Sequence, residues 1–283
     1  MELAKTIKSV RELVKAARSE GKKIGFVPTM GALHIGHISL IDRAVKECDF
    51  VVVSIYVNPT QFGPSEDFEK YPRTLDADLK ICQQVGADVV FAPSDNEMYQ
   101  AKNVTWVDTE KLTEPLCGRS RPGHFKGVTG VCAKLFNIVT PDIAYFGQKD
   151  AQQSIVIKKM VADLNMPLQI TICPTLREPD GLALSSRNKY LEPQQRKDAP
   201  LIYESLKIAA DAIGQGTKEP QTIIDQMRNT LSRIKNADIE YVSIVNADNL
   251  RYLDKIAGRT LIALAVKIGD TRLIDNILVD AGE

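Results

Sequence analysis

Along residues 9–173, short unbroken apolar runs alternate with stretches in which apolar residues recur every three or four positions. Val10, Leu13, Val14 and Ala17 have the second spacing, which lines one face of a helix. Ser9 followed by Glu12 reads as its capping box and Gly21 as its stop. The run IGFV at 24–27 reads as a strand, and Ile38, Ile41, Val45 and Cys48 then repeat on one helical face. FVVVSIYVN at 50–58 is almost entirely apolar and β-branched, as suits a strand covered on both faces in a parallel sheet. The alternation continues with a helix near 74–85 ended by Gly86, a strand at 87–92 and a helix near 127–139. A strand at 143–146, a helix near 150–163 and a strand at 168–173 complete it. Repeated β-α-β predicts a doubly wound, Rossmann-like α/β domain over residues 1–175.

Beyond that point the pattern changes. Residues 193–235 read as helices punctuated by Gly214, Gly216 and Pro220, and three strands follow at 239–247, 260–269 and 272–279. Helices followed by adjacent strands predict a second, smaller α+β domain over residues 176–283. The sequence contains no internal repeat and no low-complexity segment.

Composition narrows the chemistry. Thirty-six lysine and arginine residues balance 36 aspartate and glutamate residues, with no basic run that would track a nucleic acid, so any bound phosphate belongs to a small molecule. The five cysteines are odd in number and scattered, which argues against a disulfide framework and a structural zinc site. The N-terminus lacks the apolar core of a signal peptide, and no stretch approaches the ~20 apolar residues that span a bilayer. A cytoplasmic protein with reduced thiols, making no membrane contact, is the expectation.

Two of the three histidines fall in PTMGALHIGH at 28–37, directly after the first predicted strand of the alternation. In a doubly wound sheet this loop faces the ligand crevice. Gly31 and Gly36 allow close backbone approach, and the following helix offers N–H groups to an anion. His34 and His37, three apart, can donate to the same phosphate oxygens, or both can simply cap backbone groups. Further polar clusters follow other strands. Asn58, Pro59, Thr60 and Gln61 follow the second, Gly147, Gln148, Lys149, Asp150 and Gln153 the strand at 143–146, and Leu184, Ser185, Ser186 and Arg187 lie past the last. His124, between Arg121 and Lys126, either lines an anion site or closes a turn. Asp76 with Asp78, and Glu66 with Asp67, read as exposed carboxylates rather than Mg²⁺ ligands, and Trp106 as core. Neither a Walker loop, a G-x-S-x-G elbow nor a G-x-G-x-x-G is present. Such parts suit attack at phosphorus in a nucleoside triphosphate, which rests on positioning and charge neutralisation.

In order along the chain, PTMGALHIGH, VNPTQFG, EDFEKYPRT, RPGHFKGV, FGQKDAQQ and GLALSSRNKYL closely resemble the pantothenate synthetase, or pantoate-β-alanine ligase, family. That family belongs to the HIGH-bearing nucleotidyltransferases, as do class I aminoacyl-tRNA synthetases; LSSRN here, with a single arginine, departs from the lysine-rich loop of the synthetases. The resemblance implies ligation with ATP and Mg²⁺, first forming pantoyl adenylate from (R)-pantoate and then pantothenate and AMP from β-alanine. It implies an ATP site made of Met30, Gly31, Ala32, Leu33, His34, Ile35, Gly36 and His37. Gly147, Gln148, Lys149, Asp150, Leu176, Leu184, Ser185, Ser186 and Arg187 would complete that site. His37, His34, Lys149 and Arg187 would act on the reacting phosphates, and Asn58, Gln61 and Gln153 would bind pantoate. The resemblance also implies a homodimer, with residues 176–283 covering the site. A related cofactor-forming adenylyltransferase, whose product would keep the AMP, is the alternative reading.

Overall fold

A computed structural model gives the architecture and describes residues 1–64, 66–99 and 103–282. The first half runs β1 (Glu2–Ala4), α1 (Ile7–Ser19), β2 (Ile24–Thr29), α2 (Ile35–Glu47), β3 (Phe50–Ile55), α3 (Leu75–Val85), β4 (Val89–Phe91), α4 (Asp95–Met98), α5 (Cys117–Ser120) and α6 (His124–Val139). The second runs β5 (Ile143–Gly147), α7 (Ala151–Asp163), β6 (Gln169–Cys173), α8 (Pro193–Asp198), α9 (Leu201–Gly214), α10 (Pro220–Leu231), β7 (Ala237–Asn246), β8 (Arg259–Ile268) and β9 (Thr271–Asp280). Short 3-10 turns occupy Pro59–Gln61, Gln148–Asp150 and Ser186–Tyr190.

The chain divides into two compact units. The first holds 1–113, 121–147 and 156–174, and the second 114–120, 148–155 and 175–283. The strands of the first unit form one parallel sheet in the order β1-β4-β3-β2-β5-β6. From β2 the chain moves outward through β3 to β4, then returns to lay β5 on the other side of β2. The C-terminal ends of β2 and β5 therefore lie side by side in the first unit at the point where strand order reverses, the usual place for a ligand in such a sheet. Adjacent residues face opposite layers. Phe26 and Val52 enter a core with Val131, Leu135 and Phe136 of α6, whereas Val27, Val51 and Val53 enter another with Leu40, Ile41 and Ala44 of α2. Burial on both faces explains why these strands have no polar side.

The second unit contains the antiparallel sheet β7-β8-β9. Leu206 of α9 and Ile223 and Met227 of α10 pack with Ile262, Leu264 and Val266 of β8. This is the expected α+β arrangement, but two shorter segments, 114–120 and 148–155, group with it rather than with the parallel sheet. Side-chain bonds explain the regrouping: Gln152 accepts from Cys117 N at 3.0 Å and donates to Pro115 O at 2.7 Å, and Asn276 bonds the backbone at 148–149.

Two local readings need correction, and one strand has no counterpart in the sequence analysis. The α1 cap is Thr6, whose Oγ1 accepts from Ser9 N at 3.1 Å while Ser9 Oγ accepts from Thr6 N, so Ser9 is the far member of the box. β1 escapes a periodicity search because three residues carry too little pattern; it pairs with β4, Glu2 opposite Val89. Trp106 is 41% exposed, its ring covered by the Lys126 ammonium at 5.3 Å instead of by core.

Candidate active site

The loop after β2 is held from both ends. Thr29 Oγ1 donates to Ser54 O at 2.7 Å and accepts from Gly31 N at 3.2 Å. Gly31 sits at φ +81°, and a Cβ there would meet Asp78 Oδ2 and Ile55 at 3.0 Å, so both conformation and space require glycine. Asp78 is 2% exposed, contrary to its reading as a surface carboxylate. It accepts from Ala32 N at 3.0 Å, Leu33 N at 2.8 Å and Thr74 Oγ1 at 3.2 Å. A buried carboxylate needs such donors, and here two of the three are backbone N–H groups of the very loop that carries the histidines.

His34 is the N-cap of α2. Its Nδ1 accepts from Gly36 N at 3.1 Å, and a Cβ on Gly36 would lie 2.8 Å from the His34 ring. His37 Nδ1 in turn accepts from His34 N at 3.3 Å, and the ring centroids are 4.2 Å apart. The capping and ligand readings are therefore compatible. An Nδ1 that accepts a backbone N–H carries no proton in the neutral ring, so in both rings the donor is Nε2–H. The caps fix the tautomer as well as the ring positions.

Gln61 closes the turn after β3. Its Oε1 accepts from Asn58 Nδ2 at 3.1 Å, and its Nε2 contacts Met30 Sδ at 2.9 Å, linking the two loops. Asn58 is 1% exposed; its Oδ1 accepts from Tyr99 Oη at 2.9 Å and Thr60 Oγ1 at 3.0 Å, and its Nδ2 donates to Gly127 O at 3.2 Å. Gly127 must lack a side chain, since a Cβ would collide with the Thr60 carbonyl. The Gln61 carbonyl faces His124 Nδ1 at 2.8 Å, and His124 Nε2 faces Arg121 Nη1 at 3.0 Å. Because arginine can only donate, His124 Nε2 is the acceptor and Nδ1–H the donor to Gln61. Arg121 also pairs with Glu66 through bonds of 2.6 and 2.5 Å, so neither is a free charge. Burial pushes the Glu66 carboxyl up, but the bonds and charge of Arg121 outweigh it and hold the carboxyl below its ordinary range.

The remaining candidates lie in the second unit, apart from Gly147 at the end of β5. Gln148 and Lys149 are half-buried and Asp150 is exposed, in the turn that opens α7, with Gln153 half-buried one turn on. Leu184 N donates to Leu176 O at 3.0 Å and Arg177 bridges Ala183, which brings Leu176 beside Leu184. Ser185 Oγ then accepts from Arg187 N at 3.2 Å and caps the Ser186–Tyr190 turn. Burial pushes the thiols of Cys82 and Cys132 up to about 12, so neither is a nucleophile at neutral pH. The five cysteines are unpaired, and no described helix is long and apolar enough to cross a membrane.

The residues that sequence reasoning missed are those that hold others: Asp78, Tyr99, Gly127 and, in the second unit, Asp275 and Asn276. One signal was available. Side chains alternate along a strand, so adjacent polar residues in RLIDNILV cannot both lie on one solvent face.

A sequence model of the family described as pantoate-beta-alanine ligase matches residues 2–278. Pantothenate synthetase of Moorella thermoacetica is 54% identical over 100% of both chains. The crystal structure of pantothenate synthetase from Thermus thermophilus matches with a TM-score of 0.93 at 40% identity, covering 100% of both chains. That of pantoate-β-alanine ligase from Francisella tularensis, complexed with β-γ ATP and β-alanine, matches at 0.82 and 38% identity, covering 98% of this chain and 97% of that one.

Proposed function

Because this chain belongs to the pantoate-β-alanine ligase family, we propose that it joins (R)-pantoate to β-alanine with ATP through a pantoyl adenylate, and that the histidine pair stabilises the charge formed in the first step. A pantoate carboxylate oxygen attacks the α-phosphorus; the bond to the bridging oxygen breaks and pyrophosphate leaves with its electron pair. The β-alanine amine then attacks the acyl carbon, AMP leaves with the oxygen that joined it to the acyl group, and the amine loses a proton. The observation that carries this reading is the histidine geometry: two rings 4.2 Å apart, each with Nδ1 on a backbone N–H and Nε2–H as donor. Preorganised donors of this kind stabilise developing phosphate charge without a proton transfer.

In this reading Met30 to His37 hold the nucleotide, Lys149 and Arg187 neutralise its phosphates with Ser185 and Ser186 donating beside them, and Gly147, Gln148 and Asp150 complete the nucleotide site. Leu176 and Leu184 border the nucleotide, and Asn58, Gln61 and Gln153 orient pantoate. Among the described residues no three His, Cys, Asp or Glu side chains gather as a metal cage. Asp78 is engaged by backbone N–H groups and Glu66 by Arg121. That donor set fits Mg²⁺ carried in on ATP by its phosphate oxygens, where it supplies charge neutralisation.

ATP-pyrophosphate exchange with pantoate present and β-alanine absent tests the order of steps. Exchange is expected; a strict requirement for β-alanine would contradict it. Two further parts of the proposal have their own measurements. Residues 176–283 shield the adenylate from water, so AMP release without β-alanine should be slow relative to exchange. The chain is a cytoplasmic homodimer, a state that light scattering and cell fractionation check.

A further inference from the structure

Asn276 of β9 is 4% exposed and devotes its whole amide to one loop. Its Nδ2 donates to Gln148 O at 3.0 Å and Lys149 O at 2.8 Å, and its Oδ1 accepts from Gln148 Nε2 at 2.9 Å. Both amide hydrogens and the carbonyl oxygen are thus engaged by the residues on either side of one peptide bond. Its neighbour fixes it in turn: Asp275 Oδ1 accepts the Asn276 backbone N–H at 2.8 Å, and the Asp275 carboxylate receives Arg177 Nη1 at 2.6 Å and Nη2 at 3.0 Å. Arg177 also donates to Gly181 O at 3.1 Å, and its guanidinium lies over the Tyr203 ring at 3.7 Å. Asp275 is 2% exposed, so this anchor is shielded from competing water.

We infer that Asn276 is a positioning residue for adenylation, setting the backbone from which the Lys149 ammonium reaches the phosphates. The inference rests on the reading of Lys149 as a phosphate-neutralising group and names what holds it in place. A lysine side chain has four rotatable carbons and gains direction only from a fixed root. The Gln148–Asp150 turn is short and opens α7, and a side chain bound to two of its carbonyls removes the freedom that such a turn would keep. Asn276 touches the loop and not the reacting atoms, so its effect appears in the rate of adenylation.

The test uses the full-length chain and pyrophosphate exchange with four proteins: parent, Asn276→Asp, Lys149→Ala and the double variant. Asn276→Asp keeps shape and one acceptor but turns two donors into an anion facing two carbonyls. It should lower the maximal exchange rate about ten- to a hundredfold, the scale of a misplaced catalytic group. The KM for pantoate should stay within about twofold, and in the Lys149→Ala background the same substitution should cost less than about twofold more, since coupled residues are non-additive. An equal loss in both backgrounds would show a merely structural role and overturn the inference while leaving Lys149 its function. Parental exchange by Lys149→Ala would overturn both. Asn276→Ser, which replaces the amide by a single shorter hydroxyl donor, serves if the aspartate variant does not fold, with the same criteria. Ile223→Val, a core change in the same unit, gives the control for lost stability and should leave exchange unchanged.

Discussion

The loops after β2 and β5 each end a parallel strand and open a helix, yet they are held in place by different means. The first largely ties itself: Thr29 bonds Gly31, His34 bonds Gly36 and His37 bonds His34, while its anchors Ser54, Gln61 and Asp78 all come from the neighbouring strand β3 and the segment that follows it, as far as α3. The second is tied by Asn276, 128 positions farther along the chain. A loop that supplies its own partners shows its geometry as a short motif. One held by a distant strand shows only the residues that carry charge, and its support is visible only after folding.

The largest expected effect breaks the first loop. His34→Ala or His37→Ala should reduce pyrophosphate exchange on the order of 10²- to 10³-fold, the usual cost of one preorganised donor. Stability should fall only by the loss of a helix cap, about 0.5–2 kcal/mol, as read by urea unfolding. Parental exchange in either purified variant would remove the phosphate role.

Next comes the anchor. Asp78→Asn keeps the shape but points an amide donor at backbone donors, so the loop loses an acceptor it needs. About 1–3 kcal/mol of stability should be lost, with at least about a tenfold drop in exchange and a raised KM for ATP. If the Asp78 and Asn276 variants damage ATP and pantoate saturation in the same proportions, the contrast between a self-held and a distantly held loop has no functional content.

Smaller changes are expected at the amides. Gln61→Ala and Gln153→Ala should raise the KM for pantoate severalfold more than that for ATP, which initial-rate kinetics with each substrate varied will separate. Equal increases would deny them a pantoate role.

The smallest effect concerns acid. Arg121 holds the Glu66 carboxyl below its ordinary range despite burial, so the folded state binds that proton less readily than the unfolded chain. The stability gained is fully present above the ordinary glutamate value, about pH 4.3, and is lost as pH falls through the lower folded value. The stability difference between parent and Glu66→Gln should therefore be largest near neutrality and shrink as acid is added. A difference independent of pH would refute the assignment.

Much of the frame was legible because burial on both faces leaves a chemical trace. FVVVSIYVN could hardly be anything but a central strand, and the change of pattern after residue 175 marked a second kind of packing. The capping of α1 was misplaced by three residues because Ser9 suits either end of a capping box, and the choice rests on whether Thr6 is extended. Asp78 was misread because a carboxylate in a helix's first turn is usually solvated; nothing local reveals that a loop 45 residues earlier supplies its donors. Segments 114–120 and 148–155 were assigned with the parallel sheet because chain order was the available guide, whereas their bonds to Tyr241, Asn276 and each other depend on tertiary placement.

Oxygen transfer tests the central claim most directly. Pantoate labelled with ¹⁸O at both carboxylate oxygens is turned over with ATP and β-alanine, and the products are weighed by mass spectrometry. Attack by the carboxylate at the α-phosphorus predicts one ¹⁸O in AMP and one in the new amide. AMP without label, or label in pyrophosphate, would contradict it.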